Sequence, residues 1–171
     1  MSTPFPNAYW VRPRLLAGEH PMLLDEVANR QRVQRLIAAG VTVFLDLTEP
    51  EETVDLEPYM PLVHKLDAQS GDEFTYHRIP IPDMEVPTAA EMAQALDIID
   101  AALHNQRTVY VHCWGGIGRT GTVIGCYLVQ QGMDGEATIR EIARLRQHTP
   151  DYRYPAPARE IQRQMVREWA R

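Results

Sequence analysis

The chain has 171 residues, 44% of them apolar and 23% charged, with a formal net charge of −6. The length and composition suit one compact α/β domain over residues 1–171, and the acidic balance argues against broad nucleic-acid or anionic-membrane binding. The opening residues carry no basic start or apolar run, and the longest apolar stretch, near Val123 to Val129, falls far short of the roughly 20 residues that span a bilayer. A cytoplasmic monomer is expected, with its two cysteines, Cys113 and Cys126, as free thiols.

From the N-terminus, Ala8 to Val11 and Leu15 to Ala17 read as two short strands turning through Arg12 and Pro13. Asp25 to Ala39 is an amphipathic helix in which Val27, Val33, Leu36 and Ile37 recur near the helical period, and Gly40 closes it. Val41 to Asp46 is a β-branched, apolar strand. Glu49 to Gly71 carries Pro50, Pro58 and Pro61, which predicts loop with a short helix. Phe74 to Ile79 reads as another strand, and Ile81 to Pro87 as a loop by its prolines. Thr88, with Glu91 three residues on, opens a capped helix to about Asn105 that buries Met92, Leu96, Ile99 and Leu103. Thr108 to His112 is a strand. An apolar helix follows from about Thr120 to Gln131, and Asp134 caps another to Gln147. After a proline-rich break over Thr149 to Pro157, a last helix carries Ile161, Met165, Val166 and Trp169. The alternation implies an α/β fold, a central mixed sheet flanked by helices.

Chemistry concentrates in Val109-Tyr-Val-His-Cys-Trp-Gly-Gly-Ile-Gly-Arg-Thr-Gly121. A strand runs into a glycine-rich loop and the loop into a helix. That order aims successive backbone N–H groups at one point, at the positive end of a helix dipole, and so builds a phosphate-binding loop between a strand and a helix. Gly115, Gly116 and Gly118 permit the tight curl, with Trp114 and Ile117 completing the loop. Arg119 can grip two phosphate oxygens in parallel. A cysteine sulfur at the base of such a nest, here Cys113, is favoured as the thiolate and aimed at phosphorus.

The segment resembles the signature of the cysteine-based protein tyrosine phosphatase superfamily: His-Cys, five residues, Arg, Ser or Thr, then Gly. His112, Cys113, Arg119, Thr120 and Gly121 match every fixed position. The resemblance is closest to the small dual-specificity-like phosphatases of bacteria and archaea. It implies that Cys113 attacks and forms a phosphocysteine, that Arg119 and the amides of Trp114 to Gly118 hold the phosphoryl group, that Thr120 offers its hydroxyl to the Cys113 sulfur, and that His112 orients the loop. It also implies an acid for the leaving group on a loop some thirty residues before the cysteine. Asp83 is chosen, with Glu85 as runner-up, and Asp46 is read as a structural hydrogen-bonding residue. Family members often carry Ser-Pro-Glu-Thr and then Gln before the last helix, the Gln positioning the hydrolytic water. Here Pro157 and Gln162 keep that pattern while Ala156, Ala158 and Arg159 depart from it, which leaves open an exposed helix position for Gln162.

Other residues carry two readings each. Trp114 either lines the pocket mouth or packs outward. Cys126 is either an inert buried thiol or a redox partner of Cys113. The histidines lack ligand spacing, so no metal and no cofactor is expected. The implied substrates are phosphorylated proteins carrying phosphotyrosine, because the loop residues Trp114 to Gly118 include no Lys or Arg to hold the extra phosphates of an inositol lipid. Phosphoserine or phosphothreonine hydrolysis, phosphoinositide or RNA 5′-phosphatase activity, and a catalytically silent phosphoprotein-binding module stay open as alternatives.

Overall fold

The computed structural model describes residues 2–67 and 73–170; the end of the stretch read as loop up to Gly71 lies outside them. Strands β1 (Ala8–Arg12) and β2 (Leu15–Gly18) form an antiparallel pair, joined through Arg14 in the left-handed region (φ 67°). Helix α1 (Glu26–Ala38) is capped by the Asp25 carboxylate, which accepts from the amides of Val27 and Ala28, and leads to β3 (Val41–Asp46). A short 3-10 turn over Pro50–Thr53 and helix α2 (Tyr59–Leu66) precede β4 (Thr75–Arg78). Helix α3 (Ala89–His104) starts with the capping box predicted from Thr88 and Glu91. Then follow β5 (Thr108–His112), α4 (Gly118–Gln130), α5 (Gly135–Leu145) and α6 (Glu160–Glu168).

The sheet order is β1-β2-β5-β3-β4, parallel except for β1 with β2. It is therefore mixed, as the sequence predicts. Its alternating side chains divide between two cores. Val43, Leu45, Val109 and Val111 face one side with Met92, Leu96, Ile99, Ile124 and Val166 of the later helices. Leu16, Phe44 and Tyr110 face the other with Val33, Leu36 and Val63 of α1 and α2. Placing β5 at the centre puts its C-terminal end, where the phosphate-loop sequence begins, in the crevice typical of ligand sites in open α/β sheets.

Three helical expectations change in detail. Val27 is 69% exposed, while Val33 and Leu36 are buried in the core and Ile37 packs against it half-buried. Ile161 is likewise exposed; α6 buries Val166 and Gln162, and Trp169 follows its last turn. Helix α4 begins at Gly118 rather than near Thr120, so Arg119 lies in its first turn.

Candidate active site

Cys113 leaves the end of β5 and is 3% exposed. The loop after it folds against the end of β2. Gly116 is left-handed (φ 68°), and a Cβ there would run into the backbone of Gly18 and Glu19. Of the three glycines expected to share the curl, Gly116 alone needs that freedom. A Cβ on Gly115 would meet nothing within 4 Å, and one on Gly118 would press on the Gln162 amide at 3.0 Å. The Trp114 carbonyl accepts from the His20 amide at 2.8 Å, and the Trp114 indole stacks on the His20 ring, centroids 5.9 Å apart. Trp114 both lines the cavity and remains half exposed, which joins its two readings.

Beneath the loop lies a polar network. His112 is fully buried; Tyr59 Oη and His112 Nε2 are 2.8 Å apart, and Nδ1 lies 3.8 Å from Asp46 Oδ1. Burial pushes His112 below its usual value, so it sits as a neutral ring. Asp46 is also fully buried. Burial opposes its charge, but hydrogen bonds from Thr48 and Tyr76 help hold the carboxyl well below the usual range. Arg78 adds a 2.8 Å ion pair to the same carboxylate. This is the structural role expected of Asp46.

Arg119 is buried on the cavity floor. Its Nη1 and Nη2 reach Glu52 Oε1 and Oε2 at 2.6 and 2.9 Å, a two-pronged grip. Nη1 also donates to the Ile81 carbonyl at 3.0 Å, and Nη2 lies 3.2 Å from Asp83 Oδ1. The Nε group is buried and makes no hydrogen bond within the protein. Asp83 sits on a turn closed by the Glu85 amide on the Pro82 carbonyl, with Met84 left-handed at φ 67°. Its side chain is 63% exposed and lines the cavity. The Glu85 side chain does not line it. Instead the Glu85 carbonyl accepts from Gln162 Nε2 at 3.0 Å, and Gln162 Oε1 accepts from the Arg159 amide at 3.1 Å. Gln162 is therefore buried at the cavity wall, and its exposed-helix reading is overturned. Thr120 Oγ1 is buried without a hydrogen bond, so the expected contact with the Cys113 sulfur is not formed. Burial pushes the Cys126 thiol up to about 12, which removes the thiolate a redox partner needs.

The resulting cavity encloses about 650 Å³ and brings Cys113, Arg119, Asp83 and Gln162 together. Sequence reasoning missed two charged members. Glu52 lies in the stretch from Glu49 to Gly71 that reads only as loop with a short helix, and Arg159 reads only as a departure from a pattern. Tyr154 also lines it, on a segment whose Asp151 and Tyr154 carbonyls accept from the buried Arg146 guanidinium at 3.1 and 2.9 Å.

Residues 23–133 match the family model described as Tc-R-P, polymorphic toxin system, DSP-PTPase phosphatase. The chain belongs to this DSP-PTPase phosphatase family. Its matched region holds the whole loop from Cys113 to Arg119 together with Glu52 and Asp83. The chain is 32% identical over 110 residues to the phosphatidylglycerophosphate phosphatase PTPMT2 of Arabidopsis thaliana, covering 64% of this chain and 44% of the relative. It is 39% identical over 57 residues to the dual specificity protein phosphatase CDC14B of Mus musculus, covering 33% and 11%. The chain spans less than half the length of these curated relatives. Among solved structures it resembles Tk-PTP in the active form, with a TM-score of 0.72 at 22% identity over 96% of this chain and 97% of that one. It also resembles PTPMT1 in complex with PI(5)P, with a TM-score of 0.74 at 22% identity over 95% and 94%. At these identities the likeness is one of fold.

Proposed function

We propose that this protein is a phosphomonoester hydrolase acting on phosphotyrosine in proteins, with phosphoserine and phosphothreonine as further substrates, through a phosphocysteine intermediate. The carrying observation is that Cys113 and Arg119 share one cavity with Asp83, which stands on a separate loop. In the first step the Cys113 thiolate attacks phosphorus. An S–P bond forms, the P–O bond to the phenol breaks, and the Asp83 carboxyl gives its proton to the leaving oxygen. Loop amides and Arg119 meet the charge on the transferring group; the buried Arg119 Nε, unpaired within the protein, is a donor already in place. In the second step water attacks the phosphocysteine, its proton passes to the Asp83 carboxylate, the S–P bond breaks and phosphate leaves. Gln162, fixed beside Gly118, is placed to hold that water.

Cys113→Ser tests the reading. It is expected to abolish turnover of an aryl phosphate while inorganic phosphate still binds; wild-type turnover in this variant would discard the mechanism. A second reading, hydrolysis of a phosphomonoester on a lipid head group, is supported by the relative PTPMT2 and by Arg159 at the cavity. Turnover of lipid phosphomonoesters in vesicles, compared with phosphotyrosine peptides, separates the two.

A further inference from the structure

We infer that a second cavity, beside the polar layer and lined by His20, Glu57, Tyr59, Tyr76 and Arg78, is an effector site for a flat, uncharged aromatic lactam of two fused rings, whose binding raises kcat at the catalytic cavity. The coupling rests on the phosphatase reading above; the binding does not.

This cavity encloses about 350 Å³ and shares no lining residue with the catalytic one. Its volume is near the lower end for small-molecule sites, which suits two fused rings better than a peptide or a lipid chain. Its aromatic residues are set edge to face. His20 meets Tyr59 at 72° with centroids 5.9 Å apart, and Tyr59 meets Tyr76 at 76° and 5.7 Å. Leu56, Pro58 and Met60 complete an apolar lining, so a further aromatic ring finds both ring and aliphatic surface.

The polar groups choose the guest. His20 is 5% exposed, and burial keeps its ring neutral. Its Nδ1 accepts from the Met22 amide at 3.2 Å, which leaves the proton on Nε2. Among the described residues that N–H has no hydrogen-bond partner, so a carbonyl oxygen in the cavity finds a donor there. Glu57 supplies the opposite group, a carboxylate that pairs with no cation among the described residues. A ring N–H beside a carbonyl answers both. Charge excludes the ionic alternatives. Arg78 is offset by the buried Asp46 at 2.8 Å, so the unpaired Glu57 disfavours an anion, while Arg78 and the His20 N–H disfavour a cation.

The residues of this cavity also support the catalytic loop. Tyr59 Oη lies 2.8 Å from Nε2 of His112, the residue before Cys113. Tyr76 and Arg78 both donate to Asp46, and the His20 ring stacks on Trp114. Thr53 Oγ1 accepts from Arg78 at 3.3 Å, and Thr53 follows Glu52, which grips Arg119. A guest filling the cavity restrains these groups together, and a site held in one geometry in advance turns over faster.

Binding is read by NMR on protein labelled at the methionine methyl groups, because Met60 lines this cavity and Met84 the catalytic one. The probe is carbostyril, a fused-ring lactam, at up to about 1 mM, compared with N-methylcarbostyril and naphthoate. Carbostyril is expected to shift the Met60 methyl signal saturably, and saturating inorganic phosphate should not displace it. Methylating the ring nitrogen and Glu57→Ala should each weaken binding roughly 10-fold, and the two losses should not add. With an aryl phosphate, carbostyril should raise kcat about 5-fold and leave KM nearly unchanged. A Met60 signal that does not move, or a shift reversed by phosphate, overturns the site. Naphthoate binding as tightly as carbostyril overturns the uncharged lactam as its ligand class, as does equal affinity for both lactams in the wild type. Saturable binding with kcat unchanged or lowered overturns the coupling. Saturable binding without turnover of any phosphomonoester overturns the phosphatase reading and leaves the site standing.

Discussion

At the residue scale, the most consequential contact is the grip of Glu52 on Arg119. A guanidinium left to itself samples many rotamers, and ordering it on substrate binding costs affinity and geometry. Two charge-assisted hydrogen bonds at 2.6 and 2.9 Å remove that freedom in advance. Under the proposed chemistry Glu52→Gln should lower kcat about 10-fold or more, with a smaller change in KM. Steady-state kinetics on an aryl phosphate check this, and an unchanged kcat would remove Glu52 from the positioning role. Asp83 admits a sharper test. Phenolate leaves with a pKa near 10 and needs a proton, whereas an activated aryl leaving group hardly does. Asp83→Asn should slow phosphotyrosine-peptide hydrolysis roughly 10²–10⁴-fold and an activated aryl phosphate much less. If Glu85→Gln shows that leaving-group dependence instead, the proposed acid is wrong by two residues.

At the element scale, the strand–loop–helix unit works because its loop is pressed onto a second strand. Gly116 lies against the end of β2 with a left-handed backbone, where a Cβ does not fit. Gly116→Ala should therefore destabilise the fold by more than the ~1–2 kcal/mol cost of a left-handed residue alone. It should also reduce the protection that inorganic phosphate gives against denaturant. Gly115→Ala, with nothing within 4 Å of its new methyl group, should change stability by no more than about 0.5 kcal/mol. Equal destabilisation in both variants, measured by denaturant unfolding, would refute this account. Helix α6 has a comparable role. Through Gln162 it joins the acid loop at Glu85 to the first turn of α4 at Gly118, so three segments distant in sequence share one side chain.

At the scale of the whole molecule, the site stands on a buried polar layer that resists protonation. Burial, reinforced by the neighbouring His112, pushes His20 from the usual 6.5 to about 3, and burial moves His112 in the same direction. Such a histidine is neutral when folded but takes a proton once unfolded. Its stabilising effect is present above pH 6.5 and is lost as the pH falls from there toward 3. For His20 alone the loss between pH 7 and pH 5 is about 2 kcal/mol. Denaturant unfolding at the two pH values should show at least that drop, and His20→Asn should flatten it. A pH-independent stability over this interval would contradict the burial of both rings.

What the sequence by itself determined is what adjacent residues build. The order strand, glycine-rich loop, helix from Val109 to Gly121 is local, and so are the capping box at Thr88 and the proline-bounded turn that carries Asp83. These features depend on backbone geometry over a few residues, which pattern and residue type express directly. The tertiary structure alone decided what meets across the chain. Glu52 and Arg119 are 67 residues apart, and Gln162 and Glu85 are 77 apart. An acidic residue in a surface-like stretch and a glutamine on a helix are locally indistinguishable from solvated positions. The burial of Gln162 and the grip on Arg119 arise only when the sheet order sets β3 beside β5 and α6 packs against α4. Pairing energies between such distant groups depend on three-dimensional distance and desolvation, neither of which a linear pattern encodes.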